Sequence, residues 1–352
     1  MTITLAPKAL VSGDPISSPL WRDLTCSPQA SLFHSQPWLR VIRDTYGFEF
    51  QSVVLLEAGR PVAGIPWYES KGLLGQRRVT LPFSDYCDPL VSEASQAAEL
   101  FGCASDGKTP WALRLLNGGI AMFESIARVD SAHKWHGTEL SRDVKSVWEG
   151  FSPMAQRAIR KAEKEGVTVS EARTREELRA WYLLHLRLRK YKHRLLAQPF
   201  AFFEHIWDQF IEQDQGCLLL ARHDGQMIGG TLYLFWGDCC YYKFNASDPS
   251  YLPLRPNNLL LWHGVQRAAA RGCRLLDLGR SPVSQAGLIA FKRSFGAREC
   301  EITTAVLGTE EHTPVTREAK VLLHQLTDLF VGPEAPDSVT EQAGSLLYKY
   351  FV

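Results

Sequence analysis

Residues 217–236 read CLLLARHDGQMIGGTLYLFW, two apolar runs joined by the dipeptide Asp224-Gly225. Asp-Gly favours a type I′ turn, and strand-forming residues dominate both runs, so the stretch predicts a β-hairpin. A third run, CCYYKFNAS (239–247), follows after Gly237-Asp238. Together these residues predict a three-stranded antiparallel sheet in the second half of the chain.

Helices and buried strands follow this sheet. Residues 257–271 predict a helix that is capped by Asn257 or Asn258. The next predicted elements are a buried strand (274–279), a helix within GLIAFKRSFGA (287–297) and a last strand (300–308). With two helices before the sheet, this order is typical of a GCN5-type N-acyltransferase (GNAT) fold, in which antiparallel strands splay from a parallel pair and leave a cleft for an acyl donor.

The first half of the chain repeats part of this plan. Helix-forming stretches that open with Gln-Pro stand at 36–47 and 198–210, and each precedes a predicted hairpin. Val62-Ala63-Gly64 aligns with Met227-Ile228-Gly229 at a spacing of 165 residues, from 62 to 227. The sequence therefore predicts a tandem duplication of one α+β unit.

Length and composition agree with two domains. The chain has 352 residues and 45% hydrophobic content, which is more than one ordinary core holds. Lysine and arginine number 39 against 38 acidic residues, so no overall field attracts DNA, and any polyanion must meet a local patch. We predict an N-terminal domain over 1–145, a C-terminal domain with the catalytic role over 146–310, and a helical extension over 311–352.

The sequence predicts a cytoplasmic protein without a membrane span. No stretch approaches the ~20 apolar residues that a membrane span needs, and the N-terminal residues do not resemble a signal peptide. The eight cysteines are scattered through apolar segments, which is typical of a reducing compartment. His133 and His136 lack a third ligand, so we predict no metal site.

A helix at 153–165 combines a narrow apolar stripe with a cationic one. The cationic stripe comprises Arg157, Arg160, Lys161 and Lys164. Four cations at helical spacing are favoured where a phosphate lies against them. The alternative is an ordinary solvated face that Glu163 and Glu165 screen.

Two buried-type strands carry further candidates. Alternation over 239–247 places Tyr242 on one face and Asn245 on the other, so either face offers polar groups to an acyl carbonyl or an amine. Tyrosines also fill pleats without any chemical role. Asp277, at the end of the buried strand 274–279, needs a partner, which is either a site cation or the backbone of the Gly279 turn.

Two other segments leave alternatives open. In LPFSDYCDP (81–89), Asp85 and Tyr86 either touch a ligand from a rim loop or belong to a plain connection. Lys292 lies in the middle of an apolar turn, where a lysine either extends to water or is held at a site.

Several motifs resemble the FemABX family and the related BioF2-like acetyltransferases. They are SLFHSQPWL, QRAIRKAEKEGV, YYKFNASD, RLLDLG and above all GLIAFKRSFGA, and the similarity runs from about residue 30 to residue 305. The resemblance implies an α+β protein with two tandem GNAT domains, each a mixed, mostly antiparallel sheet flanked by helices. It also implies N-acyl transfer to a primary amine, which in the best-known members moves an amino acid from aminoacyl-tRNA to a cell-wall peptide.

The resemblance also implies roles for individual residues. Lys292 would lie beside the bound donor, as a cation for tRNA phosphate or for the developing oxyanion, and the carbonyl of Phe291 would receive the attacking amine. Arg157, Arg160 and Tyr242 would lie toward the acceptor phosphates and the reacting groups. We add Lys161, Asn245, Asp277, Asp85 and Tyr86 as candidate substrate-binding residues.

Two departures from the related patterns leave the donor open. No long helical arm for tRNA interrupts the second domain, and the glycine-rich turn with which GNAT enzymes hold the CoA pyrophosphate is missing. We expect no tightly bound cofactor, and a donor that is either aminoacyl-tRNA or acyl-CoA. The expected acceptor is a phosphate-bearing small molecule or a lipid-linked envelope precursor. A lipid-linked acceptor would imply a peripheral contact with the membrane.

Three functions are compatible with the sequence. The leading one is an N-acyltransferase that acts on an amine of a peptidoglycan or polysaccharide precursor. The second is an acetyl-CoA-dependent N-acetyltransferase of small molecules. The third is a non-catalytic module of the same fold that binds an envelope precursor or RNA.

Overall fold

The computed structural model describes residues 7–72, 74–116, 127–308 and 313–351, with the backbone alone between 127 and 132. The chain forms two compact units. The first contains residues up to His133 together with Glu301–Lys320, and the second contains Lys134–Cys300 together with Val321–Phe351.

These units divide the chain elsewhere than at the predicted limits. The change falls at 133/134 instead of 145/146, and the strand at the end of the predicted second domain returns to the first unit. The reason is hydrogen bonding, since Thr303–Leu307 pair antiparallel with Trp111–Leu115 of the first unit. The predicted limit at 310/311 lies outside the described residues.

The first unit is a six-stranded sheet with helices. Its elements are β1 (Lys8–Gly13), α1 (Pro19–Leu24), α2 (Gln36–Tyr46), β2 (Phe50–Glu57), β3 (Arg60–Ser70), β4 (Arg77–Val79), α3 (Ala94–Ala104), β5 (Trp111–Leu115) and the later part of β12 (Arg298–Leu307). The strand order is β1-β2-β3-β4-β5-β12. Among the strand pairs described for this unit, β4–β5 is parallel and the others are antiparallel.

The second unit has the same kind of sheet and more helices. Its elements are the part of β6 (Ala127–Glu139) from residue 134, α4 (Val144–Glu149), α5 (Pro153–Lys164), β7 (Thr168–Glu171), α6 (Arg175–Arg187), α7 (Phe200–Ile206), β8 (Gly216–His223), β9 (Gln226–Trp236), β10 (Cys239–Ser247), α8 (Pro256–Ala270), β11 (Leu275–Pro282) and α9 (Ala286–Ser294). The strand order is β6-β11-β10-β9-β8-β7. The neighbours from β7 to β10 are antiparallel, and β10 pairs with β11 in parallel.

Helices α10 (Pro314–Phe330) and α11 (Asp337–Leu347) follow β12 in the chain. No helix in the described ranges is both long and apolar enough to cross a bilayer.

The two predicted hairpins share their turn and their irregularity. Both central residues of each turn have positive φ, 49° and 77° at Ala58-Gly59 and 50° and 77° at Asp224-Gly225, as a type I′ turn requires. The register then shifts after Leu55 in one hairpin and after Ala221 in the other. The common geometry supports the predicted duplication.

The core of the second unit lies between its sheet and helices α5 and α8. Ala155, Ile159 and Ala162 of α5 are buried there, so the predicted apolar stripe is the inward face of that helix. Gly264 of α8 makes room for the ring of Tyr233, whose hydroxyl donates to Leu260 O at 3.0 Å. This close approach seats α8 on β9.

The cations that follow α6 hold the C-terminal segment. Lys190 is fully buried and donates to Ala335 O and to Asp337, the latter at 3.1 Å. Arg187 also pairs with Asp337, and Arg194 donates to Val331 O at 2.8 Å. Lys190, Arg187 and Arg194 therefore have structural partners in the C-terminal segment.

Candidate functional site

The two parallel strands of the second unit pair over only part of their length. The pairs are Cys239–Leu275, Cys240–Leu276 and Tyr241–Asp277. Beyond Tyr241 and Asp277, β10 runs on to Ser247 and β11 to Pro282, with no further pair between them in the described part of the chain. The facing edges past Tyr241 and Asp277 are therefore not hydrogen-bonded to each other, which is the splay expected of a GNAT fold.

A bulge in β10 corrects the predicted arrangement of its faces. Tyr242 pairs with Tyr233 of β9, but the register shifts before Phe244, and Asn245 pairs with Thr231. Tyr233 and Thr231 are two residues apart on β9 and share a face. Tyr242 and Asn245 are consequently on the same face, and the prediction of opposite faces is wrong because Lys243 is the extra residue of a bulge.

Polar side chains meet on this face. Asn245 Nδ2 donates to Thr231 Oγ1 at 2.7 Å and to Asn257 Oδ1 at 3.1 Å. Ser247 Oγ donates to the same Asn257 oxygen at 2.5 Å. Burial raises the pKa of Tyr242, and a hydrogen bond with Thr231 acts in the opposite direction. The phenol is therefore a neutral donor at physiological pH.

Asn257 does not cap α8 as predicted. The helix begins at Pro256, its N-cap residue is Arg255 with φ 62°, and no side chain caps it. The Asn257 amide instead ties the first turn of α8 to β10. The start of a long helix without a side-chain cap thus stands beside the polar face of β10, where its N–H groups favour negative charge.

Lys292 is buried, so the reading in which it extends to water is wrong. Its side chain is 4% exposed, and Nζ donates to Gly279 O at 3.0 Å and to Arg280 O at 3.1 Å. Asp277 is 2% exposed and accepts from Gly279 N at 2.6 Å. Of the two partners predicted for Asp277, the structure therefore contains the backbone of the Gly279 turn.

Phe291 precedes Lys292 on α9 and packs on the core of the unit. Its carbonyl accepts from Ser294 Oγ at 2.6 Å. The role predicted for this carbonyl, to receive an amine, needs its remaining lone pair or a rotation of Ser294.

A buried histidine lies near Lys292, a position that local sequence patterns do not indicate. His136 of β6 is fully buried, with Nδ1 3.5 Å from Ser281 Oγ and Nε2 3.3 Å from Glu299 Oε1. Burial lowers its pKa, and the charge of Lys292 lowers it further. Sequence alone linked His136 only to His133, because the strand pairing that brings it to β11 is not visible in local spacing.

The cationic stripe on α5 is exposed along its length. Arg157, Arg160, Lys161 and Lys164 all reach solvent, and in the described residues none of the four forms an ion pair with a carboxylate. Arg160 lies over the ring of Trp148, with Cζ 5.4 Å from its centroid. The structure thus leaves the stripe available to an anion, and its role remains a prediction.

Asp85 and Tyr86 belong to the first unit. Tyr86 is buried and meets Phe33 edge to face at 5.1 Å between centroids, whereas Asp85 is half-buried. Within the same segment Leu81 and Phe83 have positive φ of 48° and 59°, which is rare for large side chains. Tyr86 therefore packs as a core residue of its unit, and ligand contact by either residue remains a prediction.

Comparison with known proteins agrees with this geometry. Residues 154–293 match the family profile described as an acetyltransferase (GNAT) domain. Among solved structures, FemX is similar with a TM-score of 0.69 and 13% identity, over 91% of this chain and 100% of that chain. No curated protein sequence matches the chain.

Two further structures are similar over most of their length. A tandem GNAT protein from the clavulanic acid biosynthesis pathway has a TM-score of 0.56 at 12% identity, over 87% of this chain and 99% of that chain. L-PGS from Bacillus licheniformis has a TM-score of 0.54 at 10% identity, over 91% and 99% of the two chains. At these identities the likeness is one of fold. The predicted FemABX-like fold is thereby confirmed: the chain has the tandem GNAT fold, and the match to the GNAT profile lies in its second half.

Proposed function

We propose that this protein is an N-acyltransferase that moves an acyl or aminoacyl group from an activated donor to a primary amine of a cell-envelope precursor. The observation that carries the proposal is the parting of β10 and β11 past Tyr241 and Asp277. This opening lies inside the segment that matches the GNAT domain, and the polar face of β10 stands beside it.

Aminolysis of an activated ester or thioester requires little covalent catalysis by the protein. The amine nitrogen bonds to the acyl carbon, the C–O bond of an aminoacyl ester or the C–S bond of a thioester breaks, and the proton that the amine loses passes to the leaving group. Positioning and stabilisation of the oxyanion carry such a reaction. Tyr242, as a neutral phenol, is suited to donate to the acyl oxygen, and Asn245 is held on the same face.

The exposed stripe on α5 supports an acceptor that carries phosphate. Four cations on one helix face, which form no ion pair with a carboxylate in the described part of the chain, attract a polyanion more strongly than the chain's net charge of +1 would. We assign Arg157, Arg160 and Lys161 to this contact. A lipid-linked precursor would bring the protein to a membrane surface without any span.

The donor is either aminoacyl-tRNA or acyl-CoA. The uncapped start of α8, with Arg255 at its N-cap, is compatible with the phosphates of either donor. The match to an acetyltransferase domain favours the second candidate function, acetyl-CoA-dependent acetylation of a small amine. We assign the reaction to the cytoplasm, where both donors occur and where the free cysteines would stay reduced.

Calorimetric titration with acetyl-CoA and with free CoA separates the donors. Saturable binding near micromolar strength would support an acyl-CoA donor and direct a screen of amine acceptors. Without binding, transfer assays with charged tRNA and lipid-linked precursors test the other donor. Absence of transfer in both assays would contradict the enzyme and leave the non-catalytic module.

Tyr242→Phe directly tests the role of the polar face of β10. Removal of the phenol hydroxyl should lower kcat by about 10²-fold, because one donor to a developing oxyanion typically contributes that much. Tyr251→Phe is the matched control, since its hydroxyl bonds Gln226 at 3.0 Å near the surface. Equal rates for the two variants in single-turnover assays would remove Tyr242 from the mechanism.

A further inference from the structure

Two buried side chains of opposite charge hold one turn of β11. Asp277 accepts from Gly279 N at 2.6 Å, and Lys292 donates to the carbonyls of Gly279 and Arg280 at 3.0 and 3.1 Å. Both side chains are nearly inaccessible, at 2% and 4% exposure. The carboxylate thus binds the N–H side of this short stretch and the ammonium binds its C=O side.

The stretch that they hold departs from an extended strand. Gly279 has φ 68°, which residues with a Cβ rarely adopt. The last parallel pair with β10 is Tyr241–Asp277, so the bend at Gly279 begins two residues after the strands stop pairing. The bend therefore shapes the β11 side of the proposed acyl-transfer opening.

The groups that surround Lys292 come from several elements. Asp277 and the carbonyls of the bend belong to β11, His136 to β6, and Glu299 to β12. Glu299 is itself occupied by Lys134 at 3.1 Å and by Arg293 at 2.5 Å. The ammonium of Lys292 thus binds the two carbonyls of the bend in the interior of the second unit, and its charge acts on His136.

We propose that Lys292 and Asp277 are positioning residues that together set the bend of β11 at Gly279, so that the lysine acts on transfer through the backbone and not by touching the reacting atoms. The link to transfer rests on the proposed function, whereas the bend itself does not. A lysine that left this place for the substrate would abandon two buried carbonyls, which is unfavourable.

Hydrogen exchange tests the bend without any substrate. Lys292→Met keeps the length of the side chain and removes its donors. We expect the amides of 279–281 to exchange at least about 10-fold faster, with the β8–β9 hairpin unchanged. Lys145→Met is the control, because that side chain is 83% exposed and only reaches Glu149 at 4.0 Å.

His136 supplies a spectroscopic reporter of the same variant. Since the charge of Lys292 contributes to the lowered pKa of His136, its ring should titrate at higher pH in Lys292→Met than in the parent protein. Two-dimensional NMR of the ring protons measures this shift. Should Lys292→Met fail to fold, Asp277→Ala provides the exchange comparison.

A double-mutant cycle distinguishes positioning from direct action once transfer is measurable. If both residues act through one bend, Asp277→Ala, Lys292→Met and the double variant should lose kcat to a similar extent, with KM for the acceptor little changed. Asp277→Asn, which still accepts from Gly279 N, should recover most of the rate.

Either of two results would overturn the proposal. One is unchanged exchange at 279–281 in Lys292→Met, or in Asp277→Ala where it replaces that variant. The other is losses of kcat that multiply in the double variant, since independent effects would place the ammonium on the reacting atoms. A protein without any transfer activity would contradict the proposed function alone, and the exchange data would still decide the bend.

Discussion

His34 in the first unit shows how backbone contacts set a side chain's protonation state. Ser31 N donates to Nδ1 at 3.0 Å, so Nδ1 is an acceptor and the ring proton is on Nε2, which donates to Asp88 O at 2.8 Å. Cys87 Sγ lies 3.2 Å from the same Nε2. The distance resembles a nucleophile and its base, but this nitrogen already carries a proton and burial raises the pKa of the thiol. The pair is therefore structural.

The same burial makes stability depend on pH. Desolvation lowers the pKa of His34 from 6.5 to about 4, so protons prefer the unfolded chain. Its contribution is complete above pH 6.5 and is lost as pH falls toward 4. We expect the contribution of His34 to the free energy of unfolding to fall by about 2 kcal/mol between pH 7.5 and 5. Urea unfolding at several pH values measures it.

Replacement of His34 isolates the contribution of its ring to the pH dependence of stability. His34→Gln should flatten the fall in the free energy of unfolding over that pH range, whereas His223→Gln, at a partly exposed site beside Asp224, should not. Identical pH profiles for the parent and His34→Gln would show that other groups cause the loss.

Lys190 is a buried cation that joins the C-terminal segment to the second unit. Lys190→Met removes the donor to Ala335 O and Asp337, and both of these half-buried acceptors lose that partner. We expect a loss of about 1–3 kcal/mol in the free energy of unfolding. Lys192→Met, at an exposed position two residues later, should change it by less than about 0.5 kcal/mol. Similar midpoints for both variants in urea would contradict the structural role of Lys190.

The positions of the helices and turns agree with those predicted from local sequence patterns. The arrangement of residues on β10 differs from the prediction because of the way this strand pairs with β9. The predicted helix at 153–165 is α5 (Pro153–Lys164), and both hairpin turns stand where Ala58-Gly59 and Asp224-Gly225 placed them. The bulge at Lys243 cannot be predicted from the sequence, because it arises in the pairing of β9 with β10 and does not alter the residue alternation within one strand. That single extra residue places Tyr242 and Asn245 on the same face of β10.

Gly264 tests the contact between α8 and β9. A Cβ there would come within 2.2 Å of Tyr233 Cζ, so Gly264→Ala must displace the buried ring and should destabilise the protein by about 1–3 kcal/mol. Gly102→Ala in α3 is the control, since a Cβ there meets nothing within 4 Å and helix propensity should stabilise it by about 0.5–1 kcal/mol. Two changes of the same sign in urea unfolding would contradict this contact.

Charge is balanced over the whole protein but not over its surface. The net charge is +1, so the proposed recognition of a phosphate-bearing acceptor requires a local cluster of cations, for which the α5 stripe is our candidate. Replacement of Arg157 and Arg160 by Gln should weaken binding and flatten its dependence on salt, with inorganic pyrophosphate as the probe. Arg60 and Lys108, exposed in the first unit, are the control pair. Unaltered binding would show that the stripe is an ordinary solvated helix face.

The order of elements, the turns and the amphipathic faces of α5 could be read from the amino-acid sequence, because each depends on residues close together in the chain. The tandem GNAT fold was implied by the motifs that resemble those of the FemABX family. Tertiary structure decided the rest: the common face of Tyr242 and Asn245, the amide contacts of Asn257, the carbonyls that hold Lys292, and the return of β12 to the first unit. These features depend on partners distant in sequence. A buried polar group takes whichever partner the packed strands bring to it, and local spacing carries no record of that choice.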